Sequence, residues 1–130
     1  MSPEEIKTGK EMKFTERLGH AARGVKVFVA HTHHIVIHAT CAFTALLLGY
    51  FFNISSLEWI AVIFCIGFVI VAEAFNTAIE IDIDLTSPEY HPYARDTKDV
   101  AAASVLLASL TALIIGGIIF LPKVIPLFTR

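Results

Sequence analysis

With only two cysteines among 130 residues, a disulfide-stapled scaffold is excluded. Cys41 and Cys65 each lie inside a long apolar run, without a CxxC or Cys/His metal spacing, so they read as small packing residues. The chain also lacks a GxxxxGK[ST] or GxGxxG loop, which removes the common nucleotide-binding loops from consideration. Gly116-Gly117 reads as a helix-packing pair. Charge is scarce: 17% of residues are charged against 55% hydrophobic, with a mean hydropathy of +0.68. A soluble domain of this size could not hide so much apolar surface, so the bilayer is the expected solvent. The net charge of -2 says little, because in a membrane protein the placement of charge matters more than its sum; no nucleic-acid partner is expected.

What is present falls into an all-α pattern: one membrane domain, residues 1–130, with an N-terminal amphipathic surface helix and three transmembrane helices. The surface helix is expected at about 3–30, with Ser2 as N-cap, Pro3 in the first turn and Glu5 three residues after the cap. Phe14, Leu18, Ala21, Ala22, Val25 and Val29 recur at helical spacing beside Lys13, Glu16, Arg17, His20, Arg23 and Lys26. Such a stripe suits a helix lying on a bilayer, and equally one packed on the rest of the protein. No apolar signal-peptide core precedes it, so the first membrane helix is expected to act as its own insertion signal.

Membrane spans are expected at about 34–52, 57–79 and 100–121. Each is long enough, at about 1.5 Å per residue, to cross a hydrocarbon core of roughly 30 Å. Asn53-Ile54-Ser55-Ser56 makes the first turn, with either serine able to cap the next helix, and Pro122 is expected to close the last. Lysine and arginine set the orientation. Lys7, Lys10, Lys13, Arg17, Arg23, Lys26, Arg95 and Lys98 lie on one side, against Lys123 and Arg130 on the other. The N-terminus and the 80–99 connection are therefore expected in the cytoplasm, and the C-terminal tail outside the cell membrane.

The chemistry is concentrated in Glu73-Ala-Phe-Asn76-Thr77-Ala-Ile-Glu80-Ile-Asp82-Ile-Asp84. At about 100° per residue from Glu73, Asn76 falls near 300°, Thr77 near 40°, Glu80 near 340° and Asp84 near 20°. One face of a helix thus carries five polar groups, while Asp82 points the opposite way as a solvated bystander. A carboxylate as deep as Glu73 costs several kcal/mol unless it is paired or used, and that setting suits a proton acceptor. Glu80 and Asp84, nearer the cytoplasm, are oxygen ligands suited to Mg²⁺. Taken without Glu73, the acids at 80, 82 and 84 would equally fit a solvated helix end.

In the connection, Thr86 with Glu89 fits a capping box and Pro88 an early helical turn. Lys98 and Asp99 stand where the third membrane helix is expected to begin. A lysine there can neutralise phosphate, and an acid at a helix start is also favourable to the dipole.

The run Glu73-x-x-Asn76-Thr77-Ala78-Ile79-Glu80-x-x-x-Asp84, then Ser87-Pro88-Glu89-Tyr90-His91, then Lys98-Asp99-Val100-Ala101-Ala102, closely resembles the prokaryotic diacylglycerol kinase family. That family includes the undecaprenol kinases, whose branch the Ser87–Pro92 wording resembles more. The resemblance runs from about Lys13 to Lys123. It implies an ATP-dependent lipid kinase that phosphorylates a membrane lipid alcohol, assembled as a homotrimer with sites shared between neighbours at the cytoplasmic boundary. By the same resemblance, Glu73 is the base, Glu80 binds Mg²⁺, and Asn76 and Asp84 support the site. Glu89, His91, Lys98 and Asp99 contact ATP.

One departure stands out. The family usually has a second metal-binding glutamate in a stretch like E-x-N-x-x-x-H, whereas here Thr32-His33-His34-Ile35-Val36-Ile37-His38 puts a threonine at the acid and His34 at the asparagine. Lys13 also stands where an arginine is common, keeping charge and losing the planar fork. His31, His34 and His38 share a helix face, which fits either a replacement metal or phosphate site or interfacial anchoring. Thr32 leaves open a weakened relative serving as membrane scaffold or lipid-binding subunit. A proton-conducting oligomer built on Glu73 would have no use for Lys98 and Asp99.

Overall fold

The computed structural model describes residues 13–32 and 34–129; the expected helix start at Ser2–Glu5, and His33, lie outside them. Among the described residues there are four helices and no strand: α1 (Phe14–His31), α2 (Ile35–Phe51), α3 (Ser56–Thr86) and α4 (Pro92–Phe128). The chain divides into two compact units, residues 1–31 and 32–130.

In the first unit, α1 buries none of its side chains. Phe14, Leu18, Val25 and Val29 of its apolar stripe are all exposed, as the sequence pattern requires of a face awaiting an apolar neighbour.

The second unit is a helical hairpin of α3 and α4 with α2 beside α3. Its core is small: Ile54, Val62 and Ile119 are buried, packed by Ala45, Phe52, Trp59, Ile66, Ile115 and Phe120. Most other large apolar side chains face outward, among them Ile60, Phe64, Phe68, Val71, Phe75, Leu107, Leu113 and Ile118. This outward-apolar distribution is that of a membrane protein, because lipid rather than protein must cover those faces. Both α3 and α4 are long and apolar enough to cross a bilayer.

The α2–α3 turn is tightly specified. Asn53 adopts a positive φ of 47°, a conformation asparagine tolerates better than branched residues. Ser55 is the cap of α3: its hydroxyl accepts from the Glu58 N–H, and the Glu58 carboxylate accepts from the Ser55 N–H. Gly49 sits where a Cβ would come within 2.8 Å of the Trp59 ring and 3.1 Å of Ile54. Replacing Gly49 with valine is therefore expected to lower the thermal unfolding temperature in detergent, because overpacking costs typically about 1–3 kcal/mol.

Three helix boundaries differ from expectation. The second membrane helix continues past Ile79 to Thr86, and the next starts at Pro92, so the polar connection is mostly helix. With 31 residues, α3 is about 46 Å long, which carries its acidic end beyond a hydrocarbon core of about 30 Å. The Thr86–Glu89 capping box does not form: Thr86 donates back to the Asp82 carbonyl, and α4 is capped by His91, whose Nδ1 accepts from the Tyr93 N–H at 3.3 Å. Pro92 at the helix start makes that boundary natural.

Nor does Pro122 end α4, which runs through Pro122 and Pro126 to Phe128. Each proline removes one backbone donor, yet the turn after Pro122 is anchored by Lys123, whose ammonium lies 2.6 Å from the Glu58 carboxylate at the start of α3.

Candidate functional site

The expected polar face of α3 is present. Glu73, Asn76 and Thr77 are buried, at 5%, 8% and 4% exposure, although large apolar neighbours on the same helix such as Val71 and Phe75 are exposed. Their burial has a local cause. Thr32, itself buried, places its hydroxyl 3.0 Å from that of Thr77, and His38 on α2 brings Nε2 to 3.8 Å from Glu73 Oε1. The segment leading into α2 thus covers the face that α3 would otherwise expose.

Toward the acidic end, the Asn76 amide donates to Glu80 Oε1 at 3.1 Å, fixing a carboxylate that is half-buried. Its other atom, Oδ1, is buried without a hydrogen-bond partner. Few buried polar atoms stay unpaired in folded proteins, so Oδ1 is an acceptor with capacity to spare among the described residues. Asp84 is exposed and receives the Lys98 ammonium of α4 at 2.9 Å. The hydrogen bond to Asp84 holds Lys98 above the usual lysine range, aided by the Asp84 and Glu80 charges and opposed by burial, so it is a fixed cation near the acidic end of α3.

The remaining expected residues stand apart. Asp82 is exposed, as its angular position requires. Glu89 and His91 are exposed, and His91 is engaged in capping. Asp99 lies two turns inside α4 rather than at its start, so the helix dipole has little hold on it; it pairs with Arg95 at 3.7 Å across one turn. His31 bonds the Val27 carbonyl of its own helix, and His34 is exposed, so neither shares the burial of His38. Among the described residues no group of three or more His, Cys, Asp or Glu is placed to hold a metal ion.

The pairing of Thr32 with Thr77 and of His38 with Glu73 was not foreseen. The signal for the first was the position of Thr77 on the polar arc; for the second, a histidine a full turn inside a span without aspartate, glutamate, lysine or arginine.

The donor set suits Mg²⁺. That ion demands oxygen ligands and keeps several waters, being held by one or two carboxylates together with substrate phosphates. Glu80, half-buried, and the unpaired, buried Asn76 Oδ1 supply such oxygens from side chains that bond each other.

Comparison with known proteins bears on the same residues. The family described as "Prokaryotic diacylglycerol kinase" matches residues 19–120. The chain is 35% identical over 111 residues to the undecaprenol kinase of Bacillus subtilis, covering 85% of this chain and 90% of that one. It is 45% identical over 60 residues to a diacylglycerol kinase of Synechocystis sp., covering 45% of this chain and 34% of that relative. A diacylglycerol kinase of Helicobacter pylori is 36% identical over 61 residues, covering 47% and 48% respectively.

Proposed function

The chain belongs to the prokaryotic diacylglycerol kinase family and is a lipid kinase, and from that premise we propose that it transfers the γ-phosphoryl of ATP directly to a membrane lipid alcohol, undecaprenol or diacylglycerol. The observation that carries the proposal is a buried carboxylate, Glu73, on the same helix face as Glu80. A lipid alcohol reaches the first from the bilayer, and ATP reaches the second from water.

In this mechanism Glu73 accepts the proton of the lipid hydroxyl as its oxygen attacks the γ-phosphorus, while the bond from that phosphorus to the β,γ-bridging oxygen breaks and ADP leaves. Glu80 and Asn76 Oδ1 would hold Mg²⁺, which neutralises charge on the phosphoryl oxygens when bound. Lys98, kept cationic beside Asp84, lies at the nucleotide side, with Glu89, His91 and Asp99 as further ATP contacts. Little covalent chemistry is left to the protein, so positioning and charge account for the rate.

Residues 1–130 act as one membrane domain with three spans, α2, α3 and α4. The N-terminus and the acidic end of α3 face the cytoplasm, and the C-terminal tail faces outward. The exposed stripe of α1 supports a surface helix on the bilayer. A homotrimer with shared sites accounts for Glu89, His91 and Asp99 standing exposed: they serve a neighbouring subunit's row.

Purified protein in lipid nanodiscs, given Mg-ATP and a panel of lipid alcohols, tests the activity. A phosphorylated lipid is the expected product, and its identity names the alcohol. No product from any lipid would favour a membrane scaffold instead.

Thr32 enters as structure rather than as a ligand. Thr32→Val is expected to destabilise the protein by about 0.5–2 kcal/mol through loss of its buried hydrogen bond to Thr77 on α3. The Mg²⁺ concentration giving half-maximal activity is expected to stay unchanged. Unfolding in detergent and a Mg²⁺ titration of the rate check the two parts.

A further inference from the structure

α2 contains no aspartate, glutamate, lysine or arginine, and His38 is its one basic side chain. An imidazole in so apolar a helix needs a polar partner. Its Nε2 lies 3.8 Å from Glu73 Oε1, with the His38 side chain 17% exposed and that of Glu73 6%. The groups sharing this region are Thr32 and Thr77, bonded to each other, and Asn76, bonded to Glu80. None of these is a cation, and Lys98 is engaged with Asp84 at the far end of the polar face. His38 is thus the one side chain among the described residues with an ion-pair contact to the Glu73 carboxylate.

We infer that His38 is a positioning residue for the reaction: from α2 it holds the Glu73 carboxylate in the orientation that receives the lipid hydroxyl proton. An ionised carboxylate only accepts hydrogen bonds, so the tautomer that serves it carries the proton on Nε2. The separation of 3.8 Å closes to a hydrogen bond by a small rotation of either side chain, a tightening that catalytic pairs commonly undergo when substrate binds. The partnership also explains why a glutamate at this depth is tolerated. An N–H donor from a second helix stands beside one carboxylate oxygen, leaving the other oxygen free for the alcohol. A histidine that merely filled space between α2 and α3 would have no such orienting role.

The inference rests on Glu73 being the proton acceptor, and the experiment separates the two. His38→Ala, His38→Gln, His34→Ala and Glu73→Gln are assayed in nanodiscs with Mg-ATP and the lipid alcohol that the unaltered enzyme phosphorylates. His38→Ala is expected to lose about 10- to 100-fold in kcat, the value of one hydrogen bond to a charged group, with KM for lipid and for ATP little changed. His38→Gln keeps an amide donor at similar reach and is expected to retain more of the rate than alanine. Imidazole added to the buffer is expected to raise the rate of His38→Ala saturably, and to leave Glu73→Gln and the exposed His34→Ala unaffected.

Wild-type kcat in His38→Ala overturns the inference. So does a loss that imidazole does not restore, that glutamine does not lessen, and that follows a fall in melting temperature, since these mark a packing role alone. If Glu73→Gln is itself fully active, the parent reading fails instead. An inactive Glu73→Gln beside a fully active His38→Ala sinks only the role of His38.

Discussion

Glu73→Gln is expected to lower kcat by about 10²–10⁴-fold, the usual contribution of a positioned general base, with little change in KM for ATP. The substitution is nearly isosteric, so the loss reports chemistry rather than packing. Glutamine keeps a carbonyl oxygen within reach of His38 and the same volume, so the melting temperature is expected to change little. That combination, a dead enzyme with an undiminished melting temperature, is hard to produce by structural damage. Initial rates over a matrix of lipid and ATP concentrations, alongside unfolding in the same detergent, measure both halves. A variant with wild-type kcat would remove Glu73 from the reaction.

Glu80→Gln carries the second large effect. The Asn76 amide already fixes Glu80 Oε1, so a glutamine oxygen can keep that bond. What disappears is the negative charge that favours a hard divalent cation. The expected result is a fall in kcat of about 10²-fold or more, scaled from the loss of a main charge-stabilising group, together with a higher Mg²⁺ requirement. Raising Mg²⁺ is expected to recover part of the rate for Glu80→Gln and none for Glu73→Gln. Rates measured against free Mg²⁺ at constant Mg-ATP distinguish the two. An unchanged Mg²⁺ dependence would place the ion elsewhere.

Much of this architecture was legible in the residues because the bilayer makes crude demands. Long uncharged runs separated by polar turns read directly as helices, and the face shared by Glu73, Asn76, Thr77 and Glu80 follows from helical geometry alone. The limits of those helices were less legible. Polarity from Glu80 onward reads as the end of a membrane span, yet a backbone that leaves the bilayer has no reason to stop being helical, so α3 runs on to Thr86. Pro122 misleads for a related reason: the Lys123–Glu58 pair, between positions 65 residues apart, anchors the turn that local sequence would break.

The site divides in the same way. Glu73, Asn76, Thr77, Glu80 and Asp84 lie on one helix, so their relation is encoded in spacing. The partners of that face come from elsewhere in the chain. Thr32 reads as a lost acid until its bond to Thr77 is seen, and His38 reads as one of three interfacial histidines until its burial beside Glu73 separates it from the others. Contacts between helices leave no periodic trace in a single sequence. Glu89, His91 and Asp99 carry a stronger version of the difficulty: Glu89 is exposed, His91 serves as a helix cap and Asp99 pairs with Arg95, and none of these settings marks a nucleotide contact.

A single-turnover experiment tests the central claim most directly: enzyme in nanodiscs with the lipid alcohol, in excess over ATP labelled at the γ-phosphate. Direct transfer predicts that label moves from ATP to the organic-soluble lipid at the rate ATP disappears, and that this movement stops in Glu73→Gln. Label caught on the protein, or released as inorganic phosphate with none on lipid, would contradict it.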